Sequence, residues 1–212
     1  MADVSEQERE ALIAQLKDRE KDAEISEKTL LPSFRKTWRK PSFVSGDATG
    51  AQRGNAIHAV MQYVDFSKCQ NEEDLTSEFE RLVASGIMSK EEIDLVDRNH
   101  ILHFFSSDLG KRIASASKVV REFKFSVLVD SQHGSADKIL LQGIVDCAII
   151  DGDGITVIDF KSDRVTQENI SEKNAAYSYQ INAYAQALTN IFGLPVIEKW
   201  LYYFSINQAV RL

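Results

Sequence analysis

Two aspartates and one lysine, carried on adjacent apolar segments, are the residues of this chain best arranged for chemistry. In Ile155-Thr-Val-Ile-Asp-Phe-Lys161, Asp159 and Lys161 stand two residues apart, a spacing that puts both side chains on one face of a strand. The preceding segment contains Gly143-Ile-Val-Asp146. Between the two, Asp151-Gly-Asp-Gly154 reads as a hairpin turn with Gly152 and Asp153 as its two-residue loop. Pairing Asp151 with Gly154 fixes a register in which partner numbers sum to 305. Asp146 is then expected opposite Asp159, with Cβ atoms roughly 4.5–5.5 Å apart. Like charges facing each other destabilise a sheet unless something compensates, and a divalent cation would do so. Carboxylate oxygens suit Mg2+ or Mn2+, and Lys161 beside such an ion would hold a phosphate oxygen or a nucleophilic water. Exposed charges at a strand end, or a buried Lys–Asp ion pair, are the competing readings. One aspartate alone would favour those; the three residues together favour a site.

The elements that must position these residues follow from the hydrophobic period. Ser5 and Glu8 form a capping box before a polar helix to about residue 25, whose apolar stripe is only Leu12, Ile13 and Leu16. Residues 31–50, with Pro32, Pro41, Gly46 and Gly50, read as an irregular connection. A helix over about 53–66 buries Ile57, Val60, Met61 and Val64 and sets His58 beside that face. Further helices are expected at about 72–85 and 90–106, the second opened by a Ser89/Glu92 capping box, with a short helical piece near 108–116. From Val119 the pattern turns strand-like, and 119–130, 139–150 and 155–162 read as an antiparallel meander. A helix over about 173–192 stops at Gly193 and Pro195, and a last strand over about 196–206 carries Trp200, Tyr202 and Phe204. This order predicts a mixed α/β (α+β) fold, a central mixed sheet with flanking helices. The expected division is 1–49 as N-terminal helix and connection, and 50–212 as the domain that carries the site.

Composition bounds the possibilities. With 43% hydrophobic and 27% charged residues, 10 Gly and 3 Pro, the 212-residue chain describes a folded soluble protein with a sizeable core. The net charge of −7 argues against strong attraction to nucleic acid. Residues 1–30, with nine acidic and five basic side chains, hold more than half of that excess. Basic residues gather at Arg35, Lys36, Arg39 and Lys40 around Trp38, and again at Lys111, Arg112, Lys118, Arg121 and Lys124; solvated surface charge is the default reading of each group. Cys69 and Cys147 have no paired spacing, which excludes a disulfide framework, a zinc ribbon and a four-cysteine cluster. The acidic N-terminus and the lack of a long apolar run predict no secretory signal and no membrane span, hence a reducing cytoplasmic location.

Gly143-Ile-Val-Asp146, Asp159-Phe-Lys161 and Gln180-Ile-Asn-Ala-Tyr184, in that order, resemble the motifs of RecB-like nucleases of the PD-(D/E)XK superfamily. Upstream, Arg53-Gly-Asn-Ala-Ile-His58 resembles the family's histidine-bearing helix, and Arg121-Glu122-Phe123 its acidic strand residue. From about Gly50 to the end the chain resembles the nuclease domain of AddA-type helicase–nuclease subunits. The resemblance implies a restriction-endonuclease-like core and a Mg2+- or Mn2+-dependent DNA nuclease, an exonuclease working in double-strand-break repair by homologous recombination. It also implies partners: DNA, single-stranded by preference, a helicase portion and an AddB-like subunit. By the same resemblance His58, Asp146, Asp159 and the Phe160 carbonyl would ligate the metal, Lys161 would orient or activate the attacking water, and Glu122 would support the metal or its waters. Gln180 and Tyr184, one helical turn apart, would contact the DNA backbone or brace the site. His100, His103 and His133 are expected to have no catalytic role.

No Gly-x-x-x-x-Gly-Lys-Ser/Thr phosphate loop occurs, so this chain is not expected to be a motor. Two function classes remain. An enzyme cleaving DNA is the first, and a catalytically inert nuclease-fold module that binds or guides DNA or partner subunits is the alternative. The intact Asp146, Asp159 and Lys161 favour the enzyme.

Overall fold

The computed structural model describes residues 49–130 and 138–212, which fall within one compact unit, Ser45–Leu212. The expected N-terminal helix, most of the connection at 31–50, the Arg35–Lys40 group and His133 lie outside the described residues.

Five strands form one mixed sheet in the order β1-β2-β3-β4-β5: β1 Val119–Asp130, β2 Lys138–Asp151, β3 Gly154–Lys161, β4 Val196–Tyr203 and β5 Gln208–Arg211. The first three make the expected antiparallel meander, and Asp151 pairs with Gly154 across the turn. β4 then pairs parallel to β3, which requires a crossover, and the 23-residue helix Ile170–Phe192 supplies it. That helix ends at Gly193, whose φ of 67° is left-handed and open to glycine without strain. The expected last strand is shorter than its apolar pattern suggested. It stops at Tyr203, turns through Phe204–Ile206 and Asn207 (φ 51°), and returns as β5. Asparagine tolerates the left-handed region, so it can end a strand that its neighbours would extend.

Before the sheet come α1 Gly50–Tyr63, α2 Glu72–Ala84, α3 Lys90–Asp94, α4 Arg98–Ser106 and α5 Asp108–Ser115; the crossover helix is α6. The single helix expected over 90–106 is broken. Val96 N–H closes a turn on the Ile93 carbonyl, and Asp97 starts α4 by accepting the Asn99 N–H at 2.9 Å. Aspartate favours a cap over a helix interior, so the break falls where it stands. Among the described residues no helix is long and apolar enough to cross a membrane.

The sheet is buried on both faces, and strand alternation divides two cores between them. Cys147, Ile149, Ile158, Phe160 and Tyr202 pack with the apolar faces of α1 to α5. Ala148, Ile150, Val157, Leu201 and Tyr203 pack with Ile181, Tyr184, Ala187 and Leu188 of α6. The alternation slips at one place. Val145 belongs to the α6 core and Cys147 to the other, although they stand two residues apart. Asp146 lies between them.

Candidate active site

Asp146 sits at a break in both of its ladders. The β1–β2 register passes from Arg121↔Cys147 to Phe123↔Val145, leaving Glu122 and Asp146 facing each other unpaired in the ladder. On the other side the β2–β3 ladder follows the expected register but stops at Cys147↔Ile158, one step short of Asp146 and Asp159. Here the expected facing pair gives way to something else: the Asp146 carboxylate itself accepts the Phe160 N–H at 2.8 Å. A strict period of two cannot anticipate this, because the strand changes face at that residue. Glu122 has φ 47°, a conformation rarely adopted by side chains with a Cβ. Strained backbone of this kind clusters at functional sites.

The distortion brings three potential ligands together. His58 Nδ1 lies 3.6 Å from Asp146 Oδ1 and 3.9 Å from Glu122 Oε1. One donor atom from each of the three residues falls within 4.8 Å of the others, and all three residues are half-buried. Burial raises the Glu122 carboxyl above its usual range, and the nearby Asp146 charge raises it further. Two acids that repel, beside an imidazole, make a donor set suited to a small divalent cation.

His58 reaches this cluster because α1 is fixed at both ends. A Thr49–Gln52 capping box opens it, and Ala56, Ile57, Val60 and Met61 bury its inner face. At its C-terminal end the Arg121 guanidinium donates to the Val64 carbonyl at 2.6 Å and lies 4.5 Å from the centre of the Phe66 ring. Near its start, a Cβ on Gly54 would stand 2.5 Å from Ser162 Oγ, so glycine lets α1 approach the chain just past Lys161.

A second group lies at the end of β3. Asp159 is 2% exposed, and its Oδ2 is 2.5 Å from Lys161 Nζ. Desolvation pushes its carboxyl up to about 6, against the opposing pull of Lys161 and with the help of the Asp146 charge. Lys161 Nζ also donates to Gln180 Oε1 at 2.8 Å, and it stands 3.8 Å from the centre of the Tyr177 ring. Gln180 donates in turn to the Tyr184 hydroxyl at 2.7 Å. Burial raises the Tyr184 hydroxyl above its ordinary range, and the Asp159 and Asp146 charges add to that. Its ring meets Phe125 edge-on, beneath Gly143. A Cβ on Gly143 would come within 2.7 Å of Phe125 and 3.1 Å of Tyr184.

The residues singled out in the sequence thus fall into two groups, His58, Glu122 and Asp146 in one and Asp159, Lys161, Gln180 and Tyr184 in the other. The Asp146–Phe160 hydrogen bond joins them. Phe160 has a buried side chain, with its amide turned to Asp146. The parts played by Tyr177, Arg121 and Gly54 escaped the sequence reading. Tyr177 had a signal, standing three residues before Gln180 on the same helical face. Arg121 had none, since its partner is a backbone carbonyl 57 positions away. The other histidines are placed elsewhere: His100 Nδ1 lies 2.7 Å from Asn207 Oδ1, and His103 is exposed on α4. Of the second basic group, Arg112 pairs with Glu198 and donates to Thr156, and Lys118 lies over Phe192.

Comparison with known proteins agrees with this arrangement. Residues 33–209 match the family described as the PD-(D/E)XK nuclease superfamily. Three relatives, each named as the AddA-type subunit of an ATP-dependent helicase/nuclease, show the same likeness. That of Alkaliphilus oremlandii is 37% identical over 185 residues, 82% of this chain and 15% of the relative. That of Clostridium acetobutylicum is 34% identical over 206 residues, 91% of this chain and 16% of the relative. That of Bacillus cereus strain Q1 is 34% identical over 218 residues, 94% of this chain and 17% of the relative. The chain therefore spans about a sixth of the length of the relatives it matches. With the family match extending over residues 33–209, the chain belongs to the PD-(D/E)XK nuclease superfamily.

Proposed function

We propose that this chain hydrolyses DNA phosphodiester bonds with the aid of Mg2+ or Mn2+, as the nuclease part of a helicase–nuclease that repairs double-strand breaks by homologous recombination. The observation that carries the reading is the row of Glu122, Asp146 and Asp159 across three strands, its ladders broken at Asp146, with His58 at one side and Lys161 at the other. Acids set side by side at the cost of ladder hydrogen bonds are what a cation site requires.

His58, Glu122 and Asp146 would hold the cation, with Asp159 and the Phe160 carbonyl completing its ligands from β3. Once bound, the cation would supply positive charge against the scissile phosphate and the leaving oxygen. Lys161 donates to a phosphate oxygen or to the attacking water and sets its line of approach. Asp159 holds the lysine from the strand and Gln180 from α6, while Tyr184 backs Gln180. Phe160, through its amide, fixes the orientation of Asp146.

The relatives' name speaks of an ATP-dependent helicase, and a chain a sixth of their length leaves unwinding to other parts of such a protein. On this reading the strand arrives already separated. Its partners are a helicase portion and an AddB-like subunit, and exonucleolytic degradation is the outcome. The domain boundary that goes with it is 50–212, with 1–49 leading in.

Cleavage of labelled oligonucleotides tests the reading. The purified chain with Mg2+ or Mn2+ and no ATP is expected to degrade single strands faster than blunt duplex. Lys161→Ala should abolish cutting while sparing metal binding, and Asp159→Ala should remove both. Wild-type cleavage rates in the Lys161→Ala protein, or a strict requirement for ATP, would contradict it. Binding of DNA without any cleavage would favour the inert, DNA-guiding module instead.

A further inference from the structure

The structure assigns Tyr177 as a positioning residue for Lys161, its ring being the platform on which the ammonium rests and Asp163 the anchor that holds the ring there. The assignment builds on the nuclease reading above. An ammonium has three N–H donors and no acceptor, so a buried lysine needs partners on several sides. Lys161 has a carboxylate oxygen at 2.5 Å, an amide oxygen at 2.8 Å and a ring centre at 3.8 Å. The side chain keeps only 11% exposure. The ring presents its electron-rich face to the charge, an attraction that strengthens when water is excluded.

The platform is itself held. The Tyr177 hydroxyl donates to Asp163 Oδ2 at 3.1 Å, and Lys173 donates to the same oxygen at 2.8 Å. The Asp163 backbone carbonyl accepts from Ser205 Oγ at 2.9 Å, and the Tyr203 ring lies 6.5 Å from that of Tyr177. Asp163 therefore ties the chain just past Lys161 to α6. Tyr177, Gln180 and Tyr184 share one face of that helix, so one element grips the lysine through both its amide and its ring. A leucine would fill much of the same space yet turn an apolar surface toward the charge. The head group would lose its third contact and with it a defined position, and small misplacements of a reacting group cost rate rather than affinity.

Two measurements on the full 212-residue chain test this. In metal-free protein carrying 13C-labelled lysine, the Lys161 ε-methylene protons, identified by their disappearance in Lys161→Met, should be shifted upfield by the ring current. The shift should persist in Tyr177→Phe and collapse in Tyr177→Leu. In steady-state cleavage of a single-stranded oligonucleotide with Mg2+, Tyr177→Leu should lower kcat by about tenfold with KM within about twofold, while Tyr177→Phe stays within about threefold of wild type. An unshifted wild-type resonance, or equal loss of kcat in the two variants, would overturn the assignment. The resonance needs neither metal nor substrate and does not depend on Tyr177→Leu folding. Absence of cleavage by wild type would thus tell against the nuclease reading, and the resonance would still decide on the platform.

Discussion

Asp159 shows what burial does to a residue that must work as an anion. Its carboxyl is pushed up to about 6 because desolvation outweighs the pull of Lys161. Between the unfolded value near 4 and the folded value, the folded chain holds a proton that the unfolded chain has lost. The associated stability is therefore complete at low pH and is lost as pH rises through about 6. Other acids have lowered values and act in the opposite sense, Asp163 and Glu78 among them, so the effect is isolated by difference. Relative to Asp159→Asn, metal-free wild type should lose on the order of 2–3 kcal/mol between pH 4 and pH 7 in denaturant unfolding. A flat difference profile, or one that rises with pH, would show that Lys161 outweighs the desolvation. The residue pattern made Asp159 and Lys161 legible, but their burial depends on the α6 face that closes over them.

At the scale of elements, the account turns on how α1 and β1 are joined. Arg121 is half-buried and spans from β1 to the last carbonyls of the helix that carries His58, and desolvation lowers its pKa. Arg121→Met keeps much of the apolar stem and removes the charged hydrogen bond. It should cost about 1.5–3 kcal/mol in chemical denaturation. The same change should weaken Mn2+ binding measured by calorimetry, because His58 would lose its fixed distance from Asp146. Full affinity in a destabilised variant would mean that the strap serves stability alone. The hairpin at Gly152 and Asp153, the meander, the crossover helix and the mixed sheet all followed from local pattern and turn chemistry. The slip of β2 at Asp146 did not, because it arises from a tertiary fit. Val145 joins the α6 core, Gly143 admits the Phe125 and Tyr184 rings, and the carboxylate takes the place of a ladder partner. The broken helix at Asp97 and the turn at Asn207 were missed for a simpler reason: one polar residue outranked an apolar run.

For the whole molecule, net charge and family point in opposite directions until the basic residues are placed. Arg81, Arg112 and Lys173 are in ion pairs with Glu78, Glu198 and Asp163, and Arg121 is turned inward. These side chains hold the fold together, which leaves a chain of net charge −7 with little general attraction for phosphates. Such a domain depends on its metal site, and on whatever delivers the strand, for productive contact. The central claim is accordingly the site itself, where α1, β1, β2 and β3 meet. Crystals of the chain soaked in Mn2+ test it most directly through anomalous scattering. The predicted result is a peak within about 2.5 Å of a His58 nitrogen and of Glu122 and Asp146 oxygens, on the side facing Asp159. A peak elsewhere, or none in this cluster at saturating Mn2+, would contradict the account.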